Sequence, residues 1–246
     1  ISSEKISVGP PFYHKLIVPF LIPFLLFMSL GPRLKWIKSK IENKNSLIIT
    51  FIISVMLTFF IIKNLTADLL FYTVLISAAF FLFFTTLKEL FIKKFNNISQ
   101  TVSHFGFSLL ILSILFNSIL SSEIITNIKI GERYDYNKGE IFFKKIEERK
   151  ESNFNSIIAS FEIKNKNGKT IELKPEIRIY NQPEIITSEA DIRTTLLEDK
   201  FLVMNLVKGD EYFNIRYQVK PFMVWIWISV LLLSLGGLMS LFKRKI

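Results

Sequence analysis

Few side chains in this sequence can do chemistry. Its 246 residues hold two histidines, His14 and His104, and no cysteine. Without thiols there are no disulfides, no thiolate metal sites and no thiol nucleophile. His104 stands in the run TVSHFGFSLLILSILFNSIL, Thr101 to Leu120, which carries no full charge and is long enough for a helix to cross a bilayer's hydrocarbon core. An ionisable group inside such a span is expensive, so it faces a partner, a cavity or a cofactor rather than lipid. Two readings of His104 are open. One is an interhelical hydrogen bond in which the ring donates to a carbonyl. The other is axial ligation of haem iron, for which neutral imidazole is the commonest biological choice. A six-coordinate haem needs a second ligand. No other histidine falls within a span, and Met28, Met56 and Met239 read as packing residues. That ligand would therefore come from another chain or another segment.

The remaining candidates read more plainly. His14 follows Pro10 and Pro11 at the outer end of the first apolar run and is a solvated interface residue on this reading. Asp68, near the mouth of the third run, is hydrated. Trp225 and Trp227 head the last run, where an aromatic belt meets the membrane interface. Glu147 to Glu151 reads as a solvated loop or helix end. No Ser-His-Asp set, Gly-rich phosphate loop or carboxylate–histidine metal cluster occurs.

Half the residues are hydrophobic and 25 are Phe, more apolar surface than a soluble domain of this size can hide. The expected architecture is a polytopic α-helical membrane protein with five transmembrane helices and a β-rich extracytoplasmic domain between the fourth and fifth. Residues 1–120 make the first membrane region, with spans at about 12–30, 47–62, 65–87 and 101–120. Pro19 and Pro23 kink the first span, which membranes tolerate when neighbours satisfy the freed carbonyls. Residues 121–220 are polar, with β-branched runs such as EIFFKKI (140–146), SIIASFEI (156–163) and TIEL (170–173). Asn167-Gly168 between the last two is a hairpin signal. Residues 221–246 hold the fifth span and a basic tail. The opening residues are no signal peptide, since Gly-Pro-Pro stands where an apolar centre belongs. The start without Met suggests a fragment or a subunit of something longer.

The net charge of +10 is topological. Nearly all of it sits in three short segments beside apolar runs: 32–44, 88–97 and 243–246. The stretch 121–220 has 17 basic and 17 acidic residues. Basic residues packed against spans mark cytoplasmic loops, whereas a nucleic-acid surface would put its excess on the folded polar region. No nucleic-acid partner is expected. With the basic segments inside, the N-terminus and the β domain lie outside and the C-terminus inside. The fourth span then runs outward with His104 in its cytoplasmic third, on one face with Phe107, Ser108, Ile111 and Leu115. Ser103 and Gly106 beside it let another helix or a flat ring come close. A transporter is disfavoured, because the spans hold few polar groups and show no inverted repeat.

Several stretches resemble the CcmF family, the large membrane subunit of bacterial and mitochondrial-type cytochrome c maturation systems, in its C-terminal part. They begin with SVGPPFY (Ser7 to Tyr13) and the Leu30-Gly31-Pro32 exit followed by basic residues. Ser103-His104-Phe105-Gly106 is similar to the family's His-x-Gly. Leu173, Pro175, Glu176, Arg178 and Tyr180 match its L-x-P-E-x-R-x-Y, and Thr187, Glu189, Ala190 and Ile192 its T-E-A-x-I. The tail KPFMVWIW…LGGL (Lys220 to Trp227, Leu235 to Leu238) is similar too.

The resemblance implies a C-terminal part or subunit of a cytochrome c haem lyase, which takes haem from a haem chaperone and helps attach it to apocytochrome c. It implies haem b in the membrane, with His104 as an axial ligand of the haem iron and a second histidine from a part of the family's sequence absent here. Implied partners are the membrane, other maturation subunits, and an N-terminal part of the lyase carrying a tryptophan-rich segment. The implied location is the bacterial or mitochondrial inner membrane, with the C-terminus in the cytoplasm or matrix. The alternative is a non-catalytic membrane scaffold of the same assembly with no cofactor of its own. Arg178, Tyr180 and Glu189 are explained as well by a buried structural network.

Overall fold

The computed structural model describes residues 10–34, 44–63, 69–92, 98–207 and 211–242. Two compact units result: residues 1–115 with 225–246, and residues 116–224.

The first unit is helical. α1 (Pro10–Leu30), α2 (Lys44–Ile62), α3 (Leu69–Ile92), α4 (Ile98–Leu120) and α5 (Met223–Phe242) are each long and apolar enough to span a bilayer. The last turn of α4 and the first residues of α5 belong to the second unit. α1 and α2 leave large apolar side chains uncovered, with Phe20, Phe27 and Phe60 each more than 70% exposed. Such surface is stable against lipid or another apolar protein surface, not against water. α3 is the inner helix, packed against α1 and α2, with Leu75, Ile76, Ala79 and Leu82 fully buried. Small residues recur every fourth position on α2. Thr58 Oγ1 donates to the Ser54 carbonyl and Ser54 Oγ to the Thr50 carbonyl, both at 2.8 Å. Each hydroxyl is satisfied within its own helix, so Ser54 and Thr58 can be buried without a polar partner across the contact. α3 runs past its apolar stretch to Ile92, which draws Lys88 and Glu89 into the helix.

The second unit is a β-sandwich. Its strands are β1 (Ser122–Ile128), β2 (Arg133–Tyr136), β3 (Gly139–Lys150), β4 (Phe154–Asn165), β5 (Thr170–Leu173), β6 (Glu176–Asn181), β7 (Glu184–Glu189), β8 (Asp191–Thr194), β9 (Glu198–Leu206) and β10 (Phe213–Pro221). One sheet runs β1-β10-β9-β8; the other runs β2-β3-β4-β6-β7, with β5 also on β4. All pairs are antiparallel. Alternate residues of both sheets meet in one core, where Phe143 and Phe161 stack at 4.2 Å among Ile141, Ile163, Leu202, Met204 and Ile215. Asn167-Gly168 makes the β4–β5 turn, with Gly168 at φ +75°, where a side chain would be strained. Glu147 to Lys150 belong to β3, paired with β4, rather than to a loop or helix end. They are exposed all the same.

Candidate functional site

His104 lies on the face of α4 turned to α1, half-buried. The two helices run antiparallel there: Phe107 meets Phe24 edge to face at 5.7 Å, and one turn back the His104 ring reaches Met28. The reason for that contact is in α1. A helical carbonyl accepts from the amide four residues on, and for Met28 that residue is Pro32, which has no N–H. The orphaned Met28 carbonyl takes its hydrogen bond from the His104 imidazole instead. The neighbouring Ser29 carbonyl accepts from the Arg33 guanidinium, which also donates to the Thr85 carbonyl at 3.3 Å and pairs with Glu89 at 2.7 Å. The side chains of His104 and Arg33 thus finish the C-terminus of α1, with Glu89 paired to Arg33.

The Met28 bond serves both readings of the histidine. It is an interhelical bond in its own right, and a carbonyl on one ring nitrogen is also what orients a metal-ligating imidazole and frees the lone pair of the other nitrogen. That donor set fits one axial position of a haem iron. Among the described residues no group of three or more His, Asp and Glu could hold a metal ion. The close approach that Ser103 and Gly106 allow is taken up by α5. A methyl on Gly106 would lie 2.9 Å from the Leu233 amide nitrogen and 3.1 Å from the Ser229 carbonyl oxygen, and one on Gly236 would run into Ser103 and the Ser99 carbonyl.

His14 falls in α1, but its side chain and Asp68 lie outside the described residues. Met56 and Met239 are exposed on apolar helices, as packing residues against lipid would be. Trp225 and Trp227 occupy the first turn of α5, with Trp227 66% exposed.

Arg178 and its neighbours sit on one sheet. β6 pairs with β7 so that Glu176 faces Glu189 and Arg178 faces Thr187. Arg178 donates to Glu176 at 3.0 Å and lies over the Phe154 ring at 5.1 Å; Thr187 Oγ1 donates to Glu189 at 3.0 Å. The guanidinium bond holds the Glu176 carboxyl below its ordinary range, and Glu176 in turn pushes Arg178 up. One cation against two carboxylates on neighbouring strands is a cross-strand network, with no nucleophile or base facing a cavity.

Comparison with known proteins bears on both units. The family described as the CcmF C-terminal β-sandwich matches residues 119–221. "Cytochrome c-type biogenesis protein CcmF" of Escherichia coli (strain K12) is 25% identical over 98% of the chain, and that of Pseudomonas fluorescens 25% identical over all of it. A solved structure, "Cytochrome c Heme Lyase CcmF", superimposes on 94% of the chain with a TM-score of 0.71 at 19% identity. Residues 119–221 match the CcmF C-terminal β-sandwich, and the chain as a whole is similar to CcmF proteins. It spans about two fifths of the length of these relatives: 39% of both bacterial proteins and 40% of the solved chain. Five apolar helices and this similarity make it an integral membrane protein.

Proposed function

We propose that the chain serves cytochrome c maturation as the C-terminal part of a haem lyase. The observation that carries this reading is similarity to CcmF across helices and sandwich alike, not in one motif. In this reading His104 is one axial ligand of a b-type haem, and a histidine from the remainder of the lyase is the other. A haem held there would supply one-electron redox chemistry, passing an electron from a quinol to keep the iron of the substrate haem reduced for thioether formation. The chain's own residues do three things. Met28 fixes the tautomer and orientation of the His104 ring; the apolar helices exclude water; the α4–α5 contact keeps α4 in register. The sandwich faces the extracytoplasmic side and meets the haem chaperone, apocytochrome c and other maturation subunits. The basic segments hold the opposite ends in the cytoplasm or matrix of an inner membrane.

One observation favours a second reading. Closing the orphaned Met28 carbonyl is by itself sufficient reason for an imidazole at position 104, and a scaffold without cofactor needs no more. Depletion and rescue separate the two. Cells depleted of the chain are expected to lose covalently attached haem on a reporter c-type cytochrome. Wild type restores it. His104→Gln, which can still donate to Met28, restores it only if the chain is a scaffold. Unchanged attachment after depletion removes both readings.

A further inference from the structure

The β8–β9 connection is a two-residue hairpin loop, Leu196-Leu197, closed by Thr195 and Glu198. The Thr195 amide donates to the Glu198 carbonyl at 3.0 Å, Thr195 Oγ1 donates to the same carbonyl at 2.7 Å, and the Glu198 amide donates back to Thr195 Oγ1 at 3.1 Å. Thr195 holds the turn through its own amide and hydroxyl. Two-residue loops favour Asn, Asp and Gly, yet here both loop positions are leucine, 69% and 68% exposed.

Their position supplies a reason. The Leu197 carbonyl accepts the Phe222 amide at 2.8 Å, and α5 begins at the next residue, Met223. Phe222 adopts a left-handed conformation, φ 61°, which a bulky side chain avoids unless held. It also packs on Phe116 of α4 at 5.6 Å, and Asn117 Nδ2 donates to the Pro221 carbonyl at 2.6 Å. The loop is thus pinned beside the residue at which a membrane helix starts. Lys220, one step back from the proline, lies over the Phe201 ring at 5.5 Å, the posture of a cation at the edge of an apolar layer. α5 itself carries exposed apolar side chains, Trp227 and Leu231 among them.

We propose that Leu196 and Leu197 insert into the interfacial lipid of the membrane that α5 enters, making the β8–β9 loop a non-covalent attachment of the sandwich to the bilayer, beside its covalent junctions with α4 and α5. This rests on α5 crossing a membrane and is independent of the haem-lyase reading.

The chain has no cysteine, so single reporters are clean. Leu197→Cys and, at the other end of the same strand, Leu206→Cys are spin-labelled in the full chain reconstituted in phosphatidylethanolamine–phosphatidylglycerol vesicles. Leu206 is also an exposed leucine, 42% accessible, and nine residues on from Leu197 it lies about 30 Å away at ~3.3 Å per residue. The label at 197 is expected to be reached by oxygen and shielded from a water-soluble nickel chelate, with an oxygen-to-nickel ratio severalfold above that at 206. Leu196→Cys repeats the measurement should labelling at 197 disturb the Phe222 bond. Equal nickel access at 197 and 206 places the loop in water and overturns the proposal. Shielding from both reagents means that protein covers the loop, and overturns it too.

Discussion

The two glycines of the LGGL stretch offer a paired perturbation. Gly236 and Gly237 are neighbours in one helix, yet a methyl at Gly237 meets nothing within 4 Å, while one at Gly236 strikes Ser103 and lies 2.9 Å from the Ser99 carbonyl oxygen. Backbone atoms cannot turn aside as a flexible side chain can, so Gly236→Ala must push α4 and α5 apart. Overpacking of this kind typically costs about 1–3 kcal/mol, roughly a 5- to 150-fold shift in an unfolding equilibrium. Gly237→Ala instead removes backbone freedom from a helix with no contact to disturb, an effect of up to about 1 kcal/mol in the stabilising direction. Gly106→Ala, facing backbone at 2.9 and 3.1 Å from the other helix, belongs with Gly236→Ala. Reversible unfolding of the full chain in mixed micelles, followed by circular dichroism, reads all three. If Gly236→Ala and Gly237→Ala behave alike, the backbone contact between α4 and α5 is not as described.

Three further outcomes are expected. Phe161→Ala leaves a hole beside Phe143 in a fully buried site and lowers stability by about 3–5 kcal/mol, read as a fall in the melting temperature. Glu176 has its carboxyl pKa held down by Arg178, so its stabilisation is present above the unfolded value of ~4.3 and fades as pH falls through the lower folded value. The advantage of wild type over Glu176→Gln in a pH series of melting curves is therefore expected at neutral pH and lost in acid; a gap that widens on acidification contradicts the pairing. Compartment reporters inserted after Lys94 and at Gly168 are expected on opposite sides of the membrane, cytoplasmic for the first and external for the second; matching sides overturn the five-span arrangement.

The parts legible in the sequence are those governed by local chemistry. Runs of about twenty apolar residues have one stable solution in lipid, so five helices could be read directly. Asn167-Gly168 between two β-branched runs specified its own hairpin. Where charge is compensated across the fold, the sequence was silent. Glu89 reads as part of a basic loop until Arg33 is found 2.7 Å away, and Glu147 to Lys150 read as a loop until β4 pairs with them. The site was half legible. Pro32 announces an unsatisfied carbonyl at Met28, and His104 announces a donor in need of a partner, but only the packing of α1 on α4 joins the two. Nor could LGGL say which of its glycines touches Ser103.

The central claim is that the His104 imidazole binds haem iron, and the reduced absorption spectrum tests it most directly. The chain is purified together with the rest of its lyase, as wild type, His104→Ala and His104→Gln. Gln retains an amide that can reach the Met28 carbonyl, so loss of the fold and loss of the ligand are told apart by the melting curve of the same samples. The expected result is a six-coordinate b-type spectrum in wild type and its loss or conversion in both variants, with His104→Gln still folded. An unchanged b-type spectrum in a folded variant lacking the imidazole would contradict the assignment, and His104 would stand as the hydrogen bond that closes α1.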